Sequence, residues 1–153
     1  MTAPEPVLLL ADSQLLFARS AAESSVLEGV AARLSELGIE RPRAAYFGAA
    51  NGDAPEFFEL FTAAMGSVEV HDARHIPATP TASDLDYAAS AEILLFAGGD
   101  VARGWKSFEA HGLPDLVRQR YYQGAHLIGV SAGAVHLGLG ISRQANEAGA
   151  LVC

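Results

Sequence analysis

The segment with the clearest chemical potential is Ile128–Ala134, in which an apolar run leads directly into Ser131 and then into Ala132-Gly133-Ala134. A serine on so tight a strand-to-helix turn projects its hydroxyl from the edge of a sheet. Glycines two positions before and two after remove side chains that would collide there. The helix that follows aims free N–H groups at the site, which favours a developing oxyanion and equally suits a bound phosphate. The pattern thus fits a nucleophile, an anion site, or simply a close strand–helix contact.

A second signal is Gly98-Gly99, directly after another apolar run. Two glycines let backbone N–H groups approach a ligand without interference from Cβ atoms. The N–H of Gly99 can then complete an oxyanion hole with that of Ala132, although the pair alone also fits a tight turn before a helix.

Carboxylates offer a different chemistry. Four of them are predicted to lie just beyond strand ends and so to meet in one crevice: Asp12, Asp53, Asp72 and Asp100. Clustered carboxylates bind Mg²⁺, which would indicate phosphoryl transfer or a receiver-like domain. Against this, aspartate is common in loops and caps, and no phosphate-binding loop with its lysine is present.

The elements that must position these residues alternate between short apolar runs and stretches with helical spacing. This alternation predicts an α/β fold in three layers, with a doubly wound, mostly parallel sheet whose ligands bind at the carboxyl ends of the strands. The predicted strands are Val7–Ala11, Arg43–Phe47, Val68–His71, Glu92–Phe96 and His126–Val130. Helices are predicted over 24–37, 55–65, 101–110 and 114–123 and from Ala132, with a short one capped by Ser83 or Asp84.

Composition narrows the class of protein. The chain has 153 residues, which suits a single α/β domain, and half of them are hydrophobic, as a sheet covered on both faces requires. A net charge of −8 disfavours nucleic acid or an anionic membrane as a partner. No basic leader or spanning run is visible, so we expect a cytoplasmic protein. Because Cys153 is the single cysteine, we expect no internal disulfide and no cysteine-based metal site. We also expect no cofactor.

Three segments together resemble the dipeptidase E and cyanophycinase family of serine peptidases. They are Phe96–Asp100, Gly129–Ala134 about thirty residues later, and Ala45–Asp53, which is similar to the family's second strand and loop. The resemblance covers most of the chain from Val7. It implies the flavodoxin-like fold of class I glutamine amidotransferases, with serine in place of cysteine.

By this resemblance Ser131 is the nucleophile, and Gly99 and Ala132 donate oxyanion N–H groups. Glu147 stands about where some relatives have the acidic partner of the base. The substrates implied are short aspartyl peptides. Candidate substrate-binding residues are Gly98, Asp100, Arg103 and Asn51. Asp100 departs from the asparagine that is common after the glycines in relatives.

The general base is missing from this pattern. In the resembling family a histidine follows the serine by several dozen residues, whereas only His136 follows Ser131 here, and helical geometry turns it about 140° away. His71 and His75, predicted near the carboxyl end of the third strand, are the remaining candidates. We therefore expect a chain that is short at its C-terminus relative to the family. A non-catalytic binding or assembly domain is the main alternative, and an open strand edge or helix face would favour homo-oligomers.

Overall fold

A computed structural model of the chain describes residues 3–16 and 25–147, with side chains at all of these except residue 15 and residues 142–147. Five parallel strands form its central sheet in the order β1-β5-β4-β2-β3. The strands are β1 Leu8–Leu10, β2 Arg43–Phe47, β3 Asp72–Ile76, β4 Ile93–Phe96 and β5 His126–Val130. The predicted α/β class and parallel sheet are confirmed.

Six α-helices in the described ranges cover both faces of this sheet. They are α1 Val26–Glu36, α2 Pro55–Gly66, α3 Ala82–Ser90, α4 Val101–Ala110, α5 Leu113–Tyr122 and α6 Ala132–Glu147. Buried residues of α1 and α2 share one core with one face of the strands. Buried residues of α3 to α6 share a second core with the other face. The result is the expected three-layer arrangement.

The strands supply both cores because successive side chains point to opposite faces. In β2, Ala44 and Tyr46 join the core beneath α1 and α2, while Ala45 and Phe47 join the other. Strands buried on both faces must be apolar throughout, which explains the near-continuous apolar runs in β4 and β5.

The predicted strand over 68–71 is wrong in position, since β3 begins at Asp72. Residues 68–71 instead finish α2: the N–H groups of Val68 and Val70 both donate to the carbonyl of Met65, and Glu69 has a φ of 62°. Val70 is buried against the core beneath α2. The alternating valines therefore serve a helix C-terminal turn, which the two-residue period does not distinguish from a strand.

The start of α3 also differs from the prediction. Thr81 is its N-cap, and its hydroxyl accepts the N–H of Asp84 while the Asp84 carboxylate accepts the N–H of Thr81. Asp84 thus closes a reciprocal capping box from inside the helix, and Ser83 lies within the first turn.

Within the described ranges, no helix is both long and apolar enough to cross a bilayer.

Candidate active site

Ser131 joins β5 to α6 in a conformation that non-glycine residues seldom adopt. Its φ is 51°, its N–H donates to the carbonyl of Leu10 over 2.8 Å, and its own carbonyl accepts the N–H of Ala134 over 2.9 Å. These bonds fix the backbone between β1 and the first turn of α6. The side chain is exposed at the carboxyl edge of the sheet. A turn of this kind presents a hydroxyl outward, as the sequence predicts.

Glycines on either side let the strand and the helix approach closely. A Cβ atom on Gly133 would lie 1.9 Å from the carbonyl oxygen of Phe96, the last residue of β4. A Cβ atom on Gly129 would lie 2.7 Å from the Cα atom of Ala134. Neither position can hold a side chain without moving α6, so both glycines are required to place the start of α6 behind Ser131.

The Gly98-Gly99 turn runs beside the serine. A Cβ atom on Gly98 would lie 3.3 Å from the Cβ atom of Ser131, and Gly99 has a φ of 139°. A Cβ atom on Gly99 would lie 2.1 Å from the carbonyl oxygen of Ala50, which also accepts the N–H of Asp100 over 2.7 Å. The turn is therefore held against the loop after β2.

Asp100 and Arg103 belong to the first turn of α4. The Asp100 carboxylate caps this helix by accepting the N–H of Arg103 over 2.7 Å. The Arg103 guanidinium lies over Gly52, where a Cβ atom would be 3.2 Å from Nη1. The carboxylate of Asp100 thus has a structural role as the cap of α4. Neither Asp100 nor Arg103 lines the cavity next to Ser131. Their role in substrate binding stays a prediction.

A cavity of about 420 Å³ opens next to Ser131, between the carboxyl ends of the strands and α2. Its polar lining comes from Asp12, Ser13, Asn51 and Ser131, besides the hydroxyl of Tyr46. The rest of the wall consists of glycines and apolar side chains, among which Leu16, Phe57, Leu60, Phe61, Leu95 and Val130 are the largest. Ser131 and the Gly98-Gly99 turn thus adjoin a largely apolar cavity of the size that small ligands occupy.

Asn51 and Tyr46 form one polar corner of this cavity. The side-chain amide of Asn51 donates to the hydroxyl of Tyr46 over 2.9 Å, and its oxygen accepts the N–H of Ala54 over 3.2 Å. Burial raises the pKa of Tyr46, and the negative charge of Asp53 adds to this, although the bond from Asn51 acts in the opposite direction. Tyr46 therefore stays protonated at neutral pH.

Comparison with known proteins settles the family. The family model of peptidase family S51 matches residues 8–149, which is nearly the whole chain. The chain belongs to peptidase family S51. The resemblance to dipeptidase E inferred from three short segments is thereby confirmed over the full fold.

Solved structures show the same fold. One comes from a Listeria monocytogenes EGD-e protein provisionally named as a peptidase E; it is 16% identical, with a TM-score of 0.59 over 87% of this chain. Another is a peptidase from an acI-B1 actinobacterium, 14% identical, with a TM-score of 0.50 over 82% of this chain. This S51 chain spans 61% and 53% of their respective lengths. A search of curated proteins found no significant match.

The histidines of the S51 chain lie away from Ser131. His75 is in β3, three strand positions from β5, or roughly 14 Å at about 4.8 Å per strand. His126 opens β5 five residues earlier, about 16 Å away along the strand. His71 precedes β3 at the amino edge, not the carboxyl edge as predicted, because β3 begins later. His111 ends α4, where its Nδ1 contacts the carbonyl of Ser107.

His136 is buried on the far side of α6, as its position in the helix predicts. Its Nε2 lies 2.8 Å from the carbonyl oxygen of Val101, and its ring packs against Trp105 and Phe108. Burial lowers its pKa, although the bond to Val101 acts in the opposite direction. This is a packing role between α4 and α6.

His75 has a partner of its own that the sequence did not indicate. Its Nε2 lies 3.1 Å from Oδ1 of Asp53, whose other oxygen accepts the N–H of Ala78 over 3.0 Å. Its ring stacks on Phe58 and meets the edge of Tyr46. The pair connects the loop after β2 to the loop after β3 and braces the corner that holds Asn51.

The predicted convergence of four carboxylates does not occur. Asp72 lies at the amino end of β3, where it accepts the hydroxyl of Tyr87, so its placement beyond a strand end was wrong. Asp12 and Asp53 follow β1 and β2, roughly 14 Å apart at about 4.8 Å per strand. Among the residues that the structure describes, no three His, Cys, Asp or Glu side chains are grouped to hold a metal ion.

The candidate acidic residue, Glu147, is the last residue of α6, and its side chain lies outside the described part of the chain. Its role therefore stays a prediction.

The wall that α2 contributes to the cavity was not predicted from the sequence. Phe57 and Leu60 lie outside the core face of that helix and stay about half exposed. The sequence signal that could have predicted this wall is an apolar stripe on α2 that is wider than packing against the core requires.

Proposed function

We propose that this chain carries the nucleophile of a serine peptidase that cleaves short peptides through an acyl-enzyme on Ser131. The observation that supports it is the serine at a φ of 51° on the β5–α6 turn, beside the Gly98-Gly99 turn and a cavity. Non-glycine residues held in sparsely populated conformations cluster at functional sites.

In the proposed reaction the Ser131 hydroxyl attacks the carbonyl carbon of a peptide bond. The N–H groups of Gly99 and Ala132 stabilise the negative charge that develops on the carbonyl oxygen. The first N–H groups of α6 have no partner within the helix, and its dipole adds to this stabilisation. The amine then leaves with a proton, and water hydrolyses the ester on Ser131.

The reaction needs a general base, and none of the five histidines reaches Ser131 in the structure. The resembling family places this histidine several dozen residues after the serine. Residues 148–153 contain no histidine either, so the proposal requires a base other than these five histidines as the structure places them. The resemblance gives Glu147 as the candidate acidic partner.

The resemblance also implies aspartyl peptides as substrates. Within the described ranges, no Arg or Lys side chain lines the cavity next to Ser131 to pair with a substrate carboxylate. The lining therefore supports short peptides as substrates without favouring an aspartyl side chain among them.

A fluorophosphonate probe tests the proposal because it reacts with activated serines. We expect wild type to be labelled, Ser131→Ala to lose the label, and Ser13→Ala to retain it, since Ser13 lines the same cavity. Intact mass and peptide mapping locate the adduct. If wild type is labelled no more than Ser131→Ala, this chain is not a serine hydrolase.

The second candidate is a non-catalytic protein that uses the same cavity for binding. The distance of all five histidines from Ser131 favours it. The probe separates the two candidates, because a cavity without an activated serine would bind ligands and remain unlabelled.

A further inference from the structure

The cavity beside Ser131 has a chemical character that indicates what it binds. Apolar side chains from α2 and from the strand ends form most of its wall, and two of them, Phe57 and Leu60, are about half exposed. Exposed apolar groups of this size that face a concave site usually mark a ligand-binding surface.

The only charged side chain in the described lining is a carboxylate, that of Asp12. One of its oxygens accepts the N–H of Gln14 over 2.7 Å, which holds it at the rim after β1. A second carboxylate brought into this cavity by a substrate would be repelled by Asp12, and among the described lining residues it would find no cationic partner after leaving water.

We propose that the cavity takes a large, uncharged apolar side chain, such as that of leucine or phenylalanine, from a residue adjoining the scissile bond. Ser131 lines the cavity together with Gly98 and Gly99, so a side chain that enters belongs to a residue next to the bond under attack. This inference rests on the proposed function where it places the bound side chain next to the bond that is cleaved. The apolar preference itself concerns binding alone.

The preference is measured with ligands whose ends are neutral, so that only the side chain differs. N-acetyl-leucinamide and N-acetyl-aspartamide with a free β-carboxylate are titrated at pH 7 into ¹⁵N-labelled Ser131→Ala protein. Binding is followed at the amides of Gly98, Gly99 and Ala97. Burial of a leucine side chain supports a dissociation constant at least about ten-fold lower for the leucine ligand.

A charge placed in the wall should change this ratio. Leu60→Lys puts a cation at a half-exposed helical position of the cavity. We expect the ratio of the aspartate ligand's dissociation constant to the leucine ligand's to fall at least about ten-fold. Leu139→Lys is the matched control, since it alters a leucine of similar exposure on α6 that does not line the cavity, and it should leave the ratio unchanged.

The inference is overturned if the aspartate ligand binds as tightly as the leucine ligand, or if the leucine ligand shifts none of these amides. It is also overturned if both lysine variants change the ratio equally. Because Ser131→Ala protein is used, the result is independent of catalysis. Probe labelling without an apolar preference would refute this inference alone, whereas an apolar preference without labelling would refute only the proposed function.

Discussion

Gly133 gives the sharpest test of how the turn at Ser131 is built. The glycine lies in the first turn of α6, and a Cβ atom there would be 1.9 Å from the carbonyl oxygen of Phe96. Gly138 lies farther along the same helix, and a Cβ atom there would meet nothing within 4 Å. Gly133→Ala and Gly138→Ala therefore make the same chemical change, one at a backbone contact and one in open space.

The expected magnitudes follow from these distances. Because real Cβ contacts are essentially never shorter than 3.0 Å, Gly133→Ala must move the start of α6 by about 1.1 Å. Overpacking against rigid backbone costs about 3 kcal/mol, and the better helix propensity of alanine offsets about 1 kcal/mol of it. We expect a net loss of about 2 kcal/mol. Gly138→Ala should gain about 0.5–1 kcal/mol, which leaves a gap of about 3 kcal/mol between the variants.

Urea unfolding of both variants and wild type, followed by circular dichroism, measures this gap. Probe labelling of Gly133→Ala at Ser131 should fall as well, since the displaced helix carries the N–H group of Ala132 that is proposed to stabilise the oxyanion. If the two variants differ by less than about 0.5 kcal/mol, or if Gly133→Ala is the more stable of the two, the close contact between α6 and β4 is not as described.

Three further predictions concern other parts of the fold. Thr81→Ala removes the capping box of α3 and should lower the free energy of unfolding by about 1 kcal/mol, whereas Ser83→Ala, inside the first turn, should change it little. Burial lowers the pKa of His136, so as pH falls through about 6.5 the unfolded chain takes up a proton before the folded chain does, and the free energy of unfolding decreases. His136→Gln should make this decrease smaller, as measured by urea unfolding at pH 7 and pH 5. Ser131→Gly relieves a positive φ and should raise the melting temperature, equivalent to a gain of up to about 1 kcal/mol, while it abolishes labelling; a lower melting temperature would contradict the strain at this turn.

The features that could be predicted from the sequence are those whose signal lies in a few consecutive residues. The β5–Ser131–α6 junction and the Gly98-Gly99 turn were found because glycines directly beside a strand end mark a close backbone approach or a positive φ, and both occur here. β3 was misplaced because the alternation at Val68 and Val70 fits a helix C-terminal turn as well as a strand. That single error also put Asp72 on the wrong edge of the sheet.

Features assembled from distant segments could not be predicted in this way. The cavity combines residues after β1, the exposed side of α2 and the ends of β4 and β5, and no local pattern records how these meet. The contact between Asp53 and His75 depends likewise on the pairing of β2 with β3, which brings two residues 22 positions apart to one corner.

The conformation of Ser131 is the observation that most favours the proposed function over a turn that serves packing alone. Three described non-glycine residues have a positive φ, and two of them have local structural reasons. Glu69 closes the C-terminal turn of α2, and Asp53, a residue type that tolerates this region, is bonded through its carboxylate to His75. Ser131 has a backbone that glycine would satisfy with less strain, yet a hydroxyl stands there, exposed beside a cavity and a glycine turn. A turn needed only for packing has no use for that hydroxyl, whereas the proposed acyl transfer would require it.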